Sequence, residues 1–259
     1  GEVMFHSGIA PKLIETIDKW LGRIPGRLSL LAVAVGTVLS TLTGTSLASV
    51  AMLGSVLVPE MEKHGYRKSM SLGPILGSGG LAMLIPPSAL AVLCGAIAEL
   101  SIGKLLIAII CPGLLIALIY ALYIIIRCVL QPSIAPIYKV KRASLSDKIV
   151  STLKYVLPQG IVVFLVVGVI FLGIATPSEA AATGCVGTIA LALCYRRLGW
   201  SVLKKSIIGT LSVTGMLFLI MSGATAFSHI LSFSGATTGI TELATGINVP
   251  PLFIIIVMQ

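Results

Sequence analysis

Charge is scarce in this chain. Asp, Glu, Lys and Arg make up 10% of its 259 residues, against about 25% in a soluble domain, while 56% are hydrophobic. That balance excludes a soluble globular domain and implies helices packed on helices within lipid. Carboxylates are absent from the middle of the apolar runs. Glu99 and Glu179 sit near boundaries, which argues against a proton relay, since relays need Asp, Glu or His at membrane depth. Aromatic residues are only 6%, so the net charge of +9 is not interleaved with rings in the manner of a nucleic-acid surface. The basic residues fall between apolar spans, as topology signals and contacts to anionic lipid do. The five cysteines, Cys94, Cys111, Cys128, Cys185 and Cys194, have neither metal-ligand spacing nor a disulfide framework. His6 and His64 lie in connectors and His229 near a span end. No nucleophile–base pair, phosphate loop or metal motif is present, so the chain reads as a non-enzyme without a cofactor.

What remains is a series of apolar spans. Residues 6–21 place Ile9, Leu13, Ile14, Ile17, Trp20 and Leu21 at helical spacing with Lys12, Glu15, Asp18 and Lys19 between them. This predicts an interfacial amphipathic helix, and residues 1–27 form that helix and its connector. Leu28 to Val58 runs for 31 residues without a formal charge. As one helix it would extend about 46 Å, well beyond a hydrocarbon core of about 30 Å. Ser40, Thr41, Thr43, Gly44, Thr45, Ser46 and Ser49 cluster near its middle. It is therefore either one long tilted helix or a re-entrant hairpin whose tip lies inside the membrane. The connector Pro59–Lys68 follows. Residues 69–98 form a span broken at Leu84-Ile85-Pro86-Pro87-Ser88, because two prolines remove two backbone donors and disfavour helix just before them. Residues 105–126 read as a plain span, 128–155 as a basic cytoplasmic interfacial linker, and 156–233 as further spans joined by a turn at Thr176-Pro177-Ser178-Glu179. Residues 234–259 form an external loop and the start of a span that stops too early to cross, and both chain ends read as truncated.

Charge counting favours the hairpin. With 128–155 and the basic loop Arg196–Lys205 in the cytoplasm, alternate connections fall outside and carry almost no Lys or Arg. If 28–58 re-enters from the cytoplasm, Lys104 is the one external basic residue among 18; if it crosses once, Lys12, Lys19, Arg23 and Arg27 join it. Irregular backbone at membrane depth is tolerated where it lines a cavity or is buried in protein. Two such places arise, the tip at Thr43-Gly44-Thr45-Ser46 and the break at Leu84–Ser88. Hydroxyl oxygens and bare carbonyls suit a hard monovalent cation such as sodium, and helix N-termini suit an anion. For any single Ser or Thr, helix packing by a small residue is the commoner role. The cluster together with the Pro-Pro break is what points to a site.

These residues resemble the large membrane subunit of tripartite ATP-independent periplasmic (TRAP) transporters. The resemblance rests on His6-Ser7-Gly8-Ile9-Ala10, the tip Thr43-Gly44-Thr45-Ser46-Leu47-Ala48, Pro59-Glu60-Met61 with Gly65-Tyr66, Leu84-Ile85-Pro86-Pro87-Ser88, and Thr176-Pro177-Ser178-Glu179-Ala180-Ala181-Ala182, in that order across nearly the whole chain. Thr43 and Thr45 stand where the family commonly has serines. Ala82 replaces a glycine, and Gly80 stands at a common threonine, which makes Gly80 a poor side-chain ligand. The family also carries segments before residue 1 and a second hairpin with a second Pro-Pro break after residue 259.

The resemblance implies an all-α polytopic membrane protein with an ion-transporter-like fold. It would have a cytoplasm-opening hairpin and a broken helix, as one part of an inverted-repeat elevator transporter. Residues 28–127 would belong to the moving transport domain and 156–233 to a scaffold. The implied sodium ligands are Thr43, Gly44, Thr45, Ser46, Leu84, Pro86, Pro87 and Ser88, with Ser46 and Ser88 also near substrate. The implied function is sodium-coupled uptake of a small organic acid, such as a C4-dicarboxylate, sialic acid or another sugar acid. Its implied partners are a soluble periplasmic binding protein and a small four-helix membrane subunit, in the cytoplasmic (inner) membrane of a prokaryote. The alternative is a binding-protein-independent anion/sodium symporter of related architecture.

Overall fold

A computed structural model describes residues 2–22, 24–43, 46–136 and 144–239. Two compact units divide the chain, 1–206 and 207–259. All regular structure among the described residues is helical. The helices are α1 (Glu2–His6), α2 (Ala10–Trp20), α3 (Arg27–Thr43), α4 (Ser46–Lys63), α5 (Lys68–Leu84), α6 (Ala89–Ile97), α7 (Ile102–Ala108), α8 (Ile110–Leu130), α9 (Leu145–Ser151), α10 (Leu157–Phe171), α11 (Pro177–Cys194) and α12 (Trp200–Phe233).

The uncharged run from Leu28 to Val58 is not one helix. It becomes α3 and α4, and the chain reverses between them. Gly36 of α3 faces Leu53 of α4 so closely that an added Cβ would lie 3.3 Å from the Leu53 Cδ1. At the other end of the pair, the Leu28 N–H donates to the Tyr66 hydroxyl at 3.4 Å, so the start of α3 meets the chain just after α4. Both helices pack on α5, which also packs on α8. The core of the first unit is built here, from Leu31, Val35 and Leu39 of α3, Leu53 and Leu57 of α4, Ile75 and Leu81 of α5, and Ile124 of α8.

The same end of the unit gathers the basic connectors. The Arg67 N–H donates to the Ile134 carbonyl at 3.0 Å, joining the start of α5 to the chain after α8. Gly26, at φ +70°, sits against Cys128, and an added Cβ would lie 2.6 Å from its sulfur. Arg27 is 5% exposed and is held by the Asp18 carboxylate at 2.8 Å and by the Asp18 and Leu21 carbonyls at 2.9 and 3.0 Å. Burial pushes the Asp18 carboxyl above its ordinary value, and the Arg27 guanidinium pulls the other way. Lys104, by contrast, lies next to Gly103, which packs on Ile170 at the far end of α10.

Several elements depart from the sequence reading for physical reasons. The amphipathic helix begins at Ala10 rather than His6, because Gly8 turns the chain at φ +69°. Part of its apolar face is covered by protein: Leu13 is fully buried, and Ile9 and Ile14 join the core cluster, while Trp20 is exposed. The span expected over 105–126 is interrupted at Ile109. Pro112 has no N–H to offer the Ala108 carbonyl, so the helical ladder is broken there. Residues 145–155, expected in a linker, are helical and run through a π-helical turn at Thr152–Val156 into α10. At Thr176 the turn is a capping box, with Thr176 Oγ1 accepting from the Glu179 N–H at 3.4 Å and the Glu179 carboxylate accepting from the Thr176 N–H at 2.7 Å.

Among the described residues, four helical stretches are long and apolar enough to cross a membrane: 102–130, 145–171, 177–194 and 200–233. The pair α5 and α6 adds a fifth as a bent span. Large apolar side chains point outward along them, including Leu115, Leu118, Leu122 and Ile126 of α8 and Phe164 of α10. Such surfaces are stable against hydrocarbon and not against water. The described part of the second unit, 207–239, is mostly the rest of α12, which exposes Leu211, Phe218, Leu219 and Phe227.

Two prolines inside helices have their orphaned carbonyls satisfied from elsewhere. Pro74 cannot donate to the Met70 carbonyl, and the buried Ser29 hydroxyl of α3 does so at 2.5 Å. Pro158 cannot donate to the Lys154 carbonyl, and the Tyr195 hydroxyl does. Replacing Ser29 with Ala leaves a buried carbonyl unpaired and should cost about 1–3 kcal/mol. The additional change Pro74→Ala restores an in-helix N–H donor and should recover most of that loss. Thermal unfolding of the single and double variants in detergent checks this, and an additive loss would refute it.

Candidate functional site

The break expected at Leu84–Ser88 is present. α5 ends at Leu84, α6 begins at Ala89, and the two axes bend by 43°. The Pro86–Pro87 peptide is cis. Because residues 86 and 87 lack N–H groups, the Ala82 and Met83 carbonyls have no i+4 helical donor. The last in-helix bond runs from the Ile85 N–H to the Leu81 carbonyl at 2.9 Å. Downstream, the Ser88 side chain is 1% exposed and its Oγ accepts from the Ala91 N–H at 3.3 Å, capping α6. One short segment thus presents a carbonyl-rich helix end and an amide-rich helix start. The first favours cations and the second anions.

Three close approaches pack the surrounding helices onto this segment. The Leu84 carbonyl rests against α8 at Gly113, where an added Cβ would lie 2.9 Å from the oxygen. Gly79, on the turn of α5 before the break, meets α4; an added Cβ would lie 2.9 Å from Ser46 Oγ and would collide with Val50. An added Cβ on Gly36 of α3 would collide with the buried Ser78 side chain. Ser78 Oγ donates within its own helix to the Ile75 carbonyl at 2.8 Å.

The expected site residues are distributed as follows. Leu84, Pro86, Pro87 and Ser88 form one continuous break. Ser46 opens α4 and reaches α5 at Gly79. No hydrogen bond among the described residues joins Ser46 to Ser88. Thr43 ends α3 in its backbone, and its side chain, with Gly44 and Thr45, lies outside the described residues. Gly80 is exposed, with nothing within 4 Å of an added Cβ. The sequence reading passed over Gly113, Gly79 and Gly36. Their signal was a glycine in an otherwise side-chain-rich apolar helix, strongest in Pro112-Gly113. Among the described residues no group of three or more His, Cys, Asp or Glu is placed to hold a metal ion.

If the Ser88 cap is what starts α6, Ser88→Ala should destabilise that helix by about 1 kcal/mol, and Ser88→Asn should retain it. Hydrogen exchange at Ala91 should then be several-fold faster in the alanine variant alone. Equal protection in both variants would rule the cap out as a determinant.

The comparisons with known proteins point to one family. A family model described as "Tripartite ATP-independent periplasmic transporter, DctM component" matches residues 1–259. The chain is 32% identical over 262 residues to the C4-dicarboxylate TRAP transporter large permease protein DctM of Pseudomonas aeruginosa, covering all of this chain and 60% of that protein. It is 33% identical over 248 residues to the ectoine TRAP transporter large permease protein TeaC of Halomonas elongata, covering 95% of this chain and 57% of the relative. It is 28% identical over 267 residues to the isethionate TRAP transporter permease protein DctMQ of Oleidesulfovibrio alaskensis, covering all of this chain and 40% of the relative. The chain thus spans about three fifths or less of the length of these relatives.

Proposed function

We propose a function from one premise: this chain belongs to the DctM component family of tripartite ATP-independent periplasmic transporters. It is part of a multi-pass membrane permease that takes up a small organic acid by secondary transport in the cytoplasmic membrane of a prokaryote. Sodium is the coupling ion. A soluble periplasmic binding protein delivers the substrate, and a small four-helix membrane subunit accompanies the permease. The relatives' names point to C4-dicarboxylate, ectoine and isethionate as the range of solutes to try.

The observation that carries this reading is the break at Leu84–Ser88 with α4 and α8 packed against it. The reversal between α3 and α4 is read as a re-entrant hairpin opening to the cytoplasm. In support, the hairpin's two ends meet at Leu28 and Tyr66, on the side where the Arg27, Arg67 and Arg127–Gln131 connectors gather. Sodium sits among the Thr43–Ser46 tip, the carbonyl end of α5 and Ser88. The organic acid takes its carboxylate to helix N-termini, of which the start of α6 is one. Uptake then proceeds by an elevator motion in which α3 to α8 travel against α10 and α11.

Reconstitution of the full transporter with its binding protein tests this. Uptake from a panel of these solutes should require a sodium gradient. Ser46→Ala and Ser88→Ala should each raise the sodium concentration for half-maximal uptake by about tenfold, which corresponds to about 1.4 kcal/mol. Ser88→Asn keeps the cap and an oxygen, and should shift it less. Sodium dependence unchanged in both alanine variants would remove these residues from the site.

A further inference from the structure

A cavity of about 470 Å³ opens beside the break, in the size range of small-molecule sites. Its walls come from α3, from Ile85 and Pro86, from the start of α8 and from α10. They are mostly apolar, with Val38, Leu114, Val163 and Phe164 among them, and among the described lining residues there is no Asp, Glu, Lys, Arg or His. Gln159 of α10 also lines it. That side chain is 1% exposed, and neither its Oε1 nor its Nε2 has a hydrogen-bond partner. A carboxamide offers two donors and two acceptor sites, and burying it unpaired is disfavoured. Thr37 and Thr41 share the wall, but their hydroxyls donate to their own helix, to the Val33 carbonyl at 2.8 Å and the Val38 carbonyl at 2.7 Å. The unmet demand in the cavity is therefore a donating Nε2 and an accepting Oε1 side by side, in apolar surroundings without a charge among the described lining residues.

We propose that this cavity binds a neutral acyl amphiphile, a protonated fatty acid whose carboxyl group pairs with Gln159 and whose chain lies along the apolar wall. A carboxylic acid carries an O–H and a C=O on one carbon, which match the amide oxygen and amide N–H in a two-bond ring. A carboxylate supplies no donor for Oε1. With no cation in the wall, it would also be desolvated without compensation. Low-dielectric surroundings raise a carboxyl pKa, so the neutral acid is the species that enters. The ligand differs in kind from the transported solute, which meets helix ends as an anion. The inference does not depend on the transport reading, because its readout is binding.

The test uses the full-length protein in phosphatidylcholine nanodiscs. Decanoic acid and methyl decanoate are titrated, with radiolabelled decanoic acid binding and thermal stability as readouts. The ester keeps the chain and the carbonyl and lacks the donor. Decanoic acid should bind saturably, tighter at pH 5 than at pH 8, and about tenfold tighter than the ester. Gln159→Leu and Gln159→Met should bring acid affinity down to that of the ester. Both variants should also melt higher than the wild type without ligand, since the orphaned amide is gone, and this verifies that they fold. Equal affinity for acid and ester, wild-type acid binding in both variants, or non-saturable partitioning into the lipid alone would each overturn the proposal.

Discussion

Every buried backbone carbonyl in hydrocarbon must find a donor, and helix prolines are where this chain breaks that rule by its own sequence. Three of the responses differ, and each shapes the fold. At Pro74 the missing N–H is replaced by the Ser29 hydroxyl, which makes the α3–α5 contact a hydrogen-bonded one as well as a packed one. At Pro158 the Tyr195 hydroxyl takes the Lys154 carbonyl and ties the end of α11 to the start of α10. At Pro86 and Pro87 the helix stops instead, and a new helix starts under the Ser88 cap. The first two prolines are absorbed into packing. The third response leaves open helix ends, one rich in carbonyls and one in amides.

Close backbone approach is the second determinant. Gly36, Gly79 and Gly113 are the points where α3, α4 and α8 come onto α5 and the break. Lipid tails are as apolar as leucine, so helices in a bilayer gain from closeness of packing and from hydrogen bonds more than from hiding apolar surface. The buried hydroxyls of Ser29, Ser49, Ser78 and Ser88 lie in this same region. The part of the chain that holds the candidate site is therefore held by close helix approaches, whereas α8 and α12 carry exposed large apolar side chains.

Chain reversal within Leu28–Val58 was legible because an uncharged run of that length has few geometric solutions, and the basic connectors narrowed them further. The break at Leu84–Ser88 was legible because two prolines leave the backbone no helical alternative. Other features were not. An amphipathic pattern such as that of α2 reads the same whether lipid or protein covers it, and here Leu13 and Ile14 are covered by protein. A small residue such as Gly79 or Gly113 reads the same on a lipid-facing stripe or at a helix crossing. The meeting of Ser46 with Gly79 depends on how two helices register against each other, which neither periodicity nor charge encodes. Gln159 carried no signal at all, since its significance lies in the absence of a partner.

The bonds of Arg27 to Asp18 and Leu21 join two helices. They fasten the C-terminal end of α2 to the first turn of α3. From the same end of α2, Lys19 donates to Ser151 and Trp20 to Thr152, at the π-helical turn that leads into α10. One end of a short helix is thereby tied both to α3 and to the π-helical turn that precedes α10, so α2 links the core to the 145–171 helix through side-chain bonds.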